Sequence, residues 1–133
     1  MTRGIRIGMV VLRLVFAAFW TFGSVLGPPP LQHVQPAAEA FVNALQATGF
    51  MTPWLLGGCF LLGGAALWFQ RTAPLGLALL SPPMLIIVLF HIFLGKDAGP
   101  WIVIALIHAI LLWHFRSAFT PLWSFSPKAL GEV

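Results

Sequence analysis

The chain has 133 residues, a length that suits one domain. Hydrophobic residues make up 59% of it and charged residues 8%, where a soluble domain averages about 25% charged. A fold of this size buries only part of its surface, so the composition excludes a water-soluble enzyme, a disulfide scaffold and a disordered tail. What is left is an integral membrane protein.

Seven Lys and Arg against three Asp and Glu give a formal charge of +4. The cations Arg3, Arg6, Arg13, Arg71, Lys96, Arg116 and Lys128 are strung between apolar runs. They form no patch interleaved with aromatics, so the excess marks membrane orientation and no nucleic-acid partner is expected. Cys59, the single cysteine, lies inside an apolar run. It has no internal disulfide partner and no CxxC motif, and it reads as a small residue at a helix contact.

A membrane span needs about 20 mostly apolar residues. The first runs from Ile7 to Leu26 and stops at Gly27 and Pro28-Pro29-Pro30. Its Arg-rich start fits a signal peptide. Its length does not, and no small-x-small cleavage pattern follows, so a retained helix is expected. The outer loop, 27–50, contains a helical stretch from Pro36 to Gln46. Pro36 suits a first helical turn. Phe41, Val42 and Leu45 share one face, with Glu39, Asn43 and Gln46 elsewhere on the wheel. This predicts a short amphipathic helix that lies on lipid or caps the bundle.

The second span runs from Met51 to Phe69 and ends at Gln70-Arg71. Gly57, Gly58, Cys59, Gly63 and Gly64 give it small residues at the spacing of close membrane helix contacts. The third covers Leu75 to Leu94, within a stretch from Thr72 to Gly95 that carries no formal charge. Ser81-Pro82-Pro83 predicts a kink there. The fourth covers Trp101 to Ser117 and leads into an interfacial tail. Short connections make successive spans antiparallel. The expected fold is all-α: one transmembrane domain over residues 1–133, a four-helix bundle with a short amphipathic helix in its first outer loop.

Lys and Arg bias sets the orientation. With the N-terminus inside, Arg3, Arg6, Arg13, Arg71, Arg116 and Lys128 are cytoplasmic, and only Lys96 lies outside. Both termini are then cytoplasmic. Trp54 and Trp101 fall at the outer interface, Trp68, Trp113 and Trp123 at the inner one, and Trp20 is deeper, as packing.

Ionisable residues inside a membrane are the first candidates for function. Here they are Arg13, His91 and His108, with His114 near the inner face. Arg13 is shallow enough to snorkel to the cytoplasmic headgroups, with a structural bond to a carbonyl or a lipid phosphate as the alternative. No intramembrane acid is present to pair with it or to build a carboxylate relay. Packed helices sit about 8–10 Å apart, too close for a haem between His91 and His108 on adjacent spans. Two imidazoles without Cys or acid partners leave a metal short of ligands, so no metal site is expected. His91 suits a hydrogen bond to a quinone carbonyl, with Phe90, Phe93 and Trp101 lining the place. Its alternative role is a bond within the fold.

Four stretches resemble the DoxX family of small bacterial membrane proteins: VLRLVFAAFW, FVNALQATGFMTPW, LLGGAALWFQRTAPLGLALLSPPMLIIVLFHIFL and FRSAFTPLW. Arg13, Gly63, Gly64, Pro82, Phe90, His91 and Pro121 match positions that the family tends to keep. Relatives often carry a Glu before the paired glycines, where this chain has Phe60-Leu61-Leu62, and an Asn before Phe-His, near Ile86 here. The resemblance implies a four-span bundle in the bacterial inner membrane. Small-residue packing surfaces with almost no buried polar chemistry point to an accessory or assembly subunit that packs against another membrane protein or against itself, with no cofactor expected. The family takes its name from a subunit of a thiosulfate:quinone oxidoreductase, so a quinone-interacting subunit is the alternative, and a small transporter is the third.

Overall fold

A computed structural model describes residues 3–26, 35–95 and 98–123. The Gly27-Pro-Pro-Pro stop, Lys96, Asp97 and the tail from Ser124 lie outside the described residues. Every element among those described is helical. Helix α1 spans Arg3–Leu26 and α2 spans Pro36–Ala47. A π-helical segment, Met51–Leu61, runs straight into α3, Leu62–Leu67. Helix α4, Ala73–Phe90, ends in a π turn, His91–Gly95. Helices α5, Ala98–His114, and α6, Arg116–Trp123, complete the described residues.

Two of these are long and apolar enough to cross a membrane: Arg3–Leu26, with 24 residues, and Ala73–Gly95, with 23. Of the other two apolar helices, Trp54–Leu67 is shorter than the expected span 51–69, and Ala98–His114 has the length of the expected span 101–117 but begins and ends three residues earlier. At about 1.5 Å per residue, the 17 residues of α5 reach about 26 Å, short of the roughly 30 Å hydrocarbon core. The backbone shows why each stops early. After Leu67, the Trp68 N–H turns back to the Ala65 carbonyl at 3.2 Å, which closes the helix. After His114, Arg116 folds over Trp113 and donates from Nη1 to its carbonyl at 3.0 Å, a cation on a helix C-terminus. The chain then restarts as α6.

The expected loop helix is present. Pro36 opens α2 on the carbonyl of Gln35, which accepts from the backbone N–H of Ala38 and Glu39. Gly49, with φ of +69°, ends it in the left-handed conformation that favours glycine. Of the two placements the sequence allows, α2 takes the cap. Ala38 is fully buried, Phe41 meets the ring of Phe90 at 5.7 Å, and the helix packs on both the π segment and the His91–Gly95 turn.

Helix α3 packs on both α1 and α4, and α5 packs on α4 and also touches α1, so the four close into a ring. Three glycines bring the backbones together. A methyl at Gly64 would lie 2.7 Å from the Thr21 nitrogen, and one at Gly76 would lie 2.6 Å from the Gly63 carbonyl oxygen. At Gly63 it would meet Leu80 at 2.8 Å. Small residues that let backbones approach this closely also recur where membrane helices pack. The core around them joins Phe16, Ala17 and Trp20 of α1 to Phe60, Leu67, Leu77, Leu80, Met84 and Leu111. Cys59 packs against this cluster. Helix α4 continues as α-helix through Pro82 and Pro83, although those residues leave the Ala78 and Leu79 carbonyls without helical donors.

Candidate functional site

Polar side chains are few, and the structure puts them at three levels of the bundle. The end where α1 begins and α3 and α5 finish carries the arginines and is called the basic end. The opposite end lies under α2 and is called the loop end.

Arg13 belongs to the basic end. It is buried, with 7% of its surface exposed, and its Nη1 donates to the Leu67 carbonyl at 2.8 Å. Snorkelling, the first expectation for this residue, is therefore corrected: the guanidinium points into the protein. The acceptor exists because α3 ends at Leu67 and leaves its last carbonyls unpaired. All three are met. Ala65 accepts from the Trp68 N–H, Ala66 from the Thr72 hydroxyl at 2.7 Å, and Leu67 from Arg13. A cation at this position also complements the negative end of the helix dipole. Nearby, Trp68 donates from Nε1 to the Thr21 hydroxyl at 3.2 Å.

Beside Arg13 lies a cavity of about 110 Å³, lined by Arg6, Met9, Val10, Arg13, Gln70, His114 and Phe115. Arg6, Met9, Val10 and Arg13 fall on one face of α1, three and four residues apart. Gln70 comes from the turn after α3, and His114 and Phe115 from the end of α5. No acidic residue lines it.

His108 occupies the middle level, buried at 5% exposure. Its Nε2 lies 3.0 Å from the Ser81 hydroxyl oxygen, and Ser81 donates its only hydroxyl proton to the Leu77 carbonyl at 2.8 Å. The serine oxygen must then accept from His108, which assigns the proton to Nε2. Nδ1 is left as a buried acceptor without a partner, and the Trp20 Nε1–H is a buried donor without one. Phe16 lies against both rings, 5.9 Å from His108 and 6.1 Å from Trp20.

The loop end gathers aromatics. His91 stacks on Trp101 at 4.5 Å and 20°, and Phe90 meets His91 edge-on at 5.1 Å. Phe41 of α2 lies over Phe90. Of the candidate quinone residues, the structure brings together His91, Phe90 and Trp101. Phe93 projects outward, 71% exposed. His108 has a separate set of neighbours, Ser81 and Phe16. Among the described residues, no three His, Cys, Asp or Glu cluster as metal ligands.

Gly63 and Gly64 sit where the sequence puts them, at helix contacts, while Pro82 is exposed on α4. Sequence reasoning missed two residues of this architecture. Gly76 gave no signal of its own, since its partner, the Gly63 carbonyl, belongs to another helix. Ser81 was noted only for the prolines after it, although a serine beside a proline pair is a source of the polar contact that His108 takes up. No family model, no curated protein and no solved structure matches the chain.

Proposed function

We propose that the chain is a four-span inner-membrane protein of the DoxX type, an accessory or assembly subunit of a membrane complex without catalysis of its own. The crossing helices are α1, the Met51–Leu67 run, α4 with its π turn, and α5. The two short ones are accommodated by local thinning of the bilayer, at a fraction of a kcal/mol per ångström. The N-terminus and the basic end face the cytoplasm, as the distribution of Lys and Arg requires.

The observation that carries this reading is where the interior polar groups are bonded. Arg13, Ser81 and His108 each bond within the fold, to Leu67, Leu77 and Ser81. That use holds helices in register. The outer surface, by contrast, carries large apolar side chains: Val15, Phe22, Phe69, Leu85 and Trp113 are each more than half exposed. Apolar surface on this scale needs lipid or a protein partner. The test is purification of the full chain in a gentle detergent, with mass spectrometry of what comes with it. A membrane protein in fixed stoichiometry is the expected result. A partner-free, stable monomer in every mild detergent overturns the accessory role.

A second reading, a quinone-interacting subunit, is favoured by the aromatic cluster of Phe90, His91 and Trp101 beneath α2. Its test is His91→Ala in membranes with quinone-linked electron transfer. An unchanged rate removes it.

A further inference from the structure

We propose that the cavity at the basic end is a binding site for the phosphate of an anionic phospholipid, held by Arg6, Arg13 and His114. The proposal rests on the membrane reading above.

The cavity is several times the size that one water needs, enough to admit a phosphate group. Its charge is of one sign: two guanidinium groups line it and no carboxylate does. Arg13 uses one of its five N–H donors on Leu67 and has the rest left over. The side chains of Arg6 and Gln70 make no hydrogen bond among the described residues. A guanidinium fork matches phosphate oxygens in pairs, which gives such contacts both strength and direction. Burial matters as well. Arg13 is fixed from behind by the end of α3, so it presents its remaining donors without first losing side-chain freedom.

The walls choose a lipid over a free anion. Met9, Val10 and Phe115 are apolar and share the cavity with the cations. A headgroup phosphate with an acyl chain attached meets both kinds of surface at once, whereas inorganic phosphate meets only one. The location agrees. The same end carries Arg71 and Arg116 and is the one that the positive-inside bias assigns to the cytoplasmic leaflet. Basic pockets between membrane helices on that side are suited to anionic headgroups. The lipid becomes a wedge between the flank of α1 and the end of α5, two elements that otherwise touch lightly.

The experiment uses the full chain, purified in neutral detergent. Phosphatidylglycerol, phosphatidylcholine and inorganic phosphate are titrated separately and bound molecules are counted by native mass spectrometry. Phosphatidylglycerol is expected to bind about tenfold more tightly than phosphatidylcholine, with inorganic phosphate failing to displace it at equal concentration. Arg6→Gln is expected to weaken phosphatidylglycerol about tenfold. Arg6 is exposed, so the helix content of this variant by circular dichroism is expected to match the parent. Equal binding of the two lipids, or unaltered binding by Arg6→Gln, overturns the site. Displacement by inorganic phosphate makes it a free-phosphate site and overturns the lipid. Alkaline extraction of cell membranes separates this from the reading beneath it. A chain released into the soluble fraction sinks the membrane assignment, while a retained chain that binds both lipids alike sinks only the lipid site.

Discussion

The basic end is held by directed polar bonds: Arg13 to Leu67, Thr72 to Ala66, Trp68 to Thr21, and Arg116 to Trp113. The loop end is held by ring contacts, from Phe41 through Phe90 and His91 to Trp101. The backbone differs in the same sense. Both π-helical stretches, Met51–Leu61 and His91–Gly95, belong to the loop end, and the helices that reach the basic end do so as α-helix. π windings are rare and recur at functional sites. One end of the molecule therefore fixes register, and the other keeps a looser backbone beneath a helical cap. Glycine contacts with backbone atoms, at Gly64 and Gly76, lie on the fixed side of that division.

Substitutions at three positions test the division, each read as unfolding free energy in detergent micelles. Gly64→Val is expected to cost most, about 3 kcal/mol, because its side chain meets the backbone of Thr21, which has no rotamer to escape into. A loss below about 0.5 kcal/mol would show that α1 and α3 are free to slide, and the contrast between the ends would collapse. Arg13→Met comes next at about 2 kcal/mol, since it leaves a buried carbonyl unpaired. Arg13→Lys is expected to recover part of that loss, as a point charge without the planar fork. If Met and Lys behave alike, the bond to Leu67 is not what holds α1. Trp101→Ala is the smallest, about 1 kcal/mol, by loss of the stack on His91. It should also leave lipid binding at the basic end unchanged. A larger loss than that of Arg13→Met reverses the comparison.

The sequence carried the parts that depend on local pattern. Pro36 and the shared face of Phe41, Val42 and Leu45 predict α2, and the helix is there. The apolar runs mark four helical segments, and Gly63 and Gly64 mark a close contact. What it did not carry depends on places where helices end or meet. Snorkelling was the natural expectation for Arg13 because nothing in the neighbourhood of residue 13 names a partner. The acceptor is a carbonyl 54 positions away, available only because α3 stops at Leu67. The same holds for the second and fourth segments, whose full apolar length reads as a span while hydrogen bonds after Leu67 and His114 close the helix sooner. The π windings left no trace in apolar periodicity, since an all-apolar run shows no face from which to count turns. At the candidate site, the trio Phe90, His91 and Trp101 was legible from position along neighbouring helices. The pairing of His108 with Ser81 was not, because it depends on how two helices are rotated against each other.

The approach of Gly76 to the Gly63 carbonyl also bears on how the bundle assembles. These two residues are 13 positions apart (76 minus 63), whereas Arg13 and Leu67 are 54 apart. Loop-closure entropy grows with the logarithm of that separation, so the glycine contact is the easier to make by about 1 kcal/mol. The α3–α4 hairpin is thus the natural nucleus. When α1 docks, Arg13 finds a helix terminus already formed, and the longest-range side-chain hydrogen bond among the described residues becomes the latch on a seed that had closed before it.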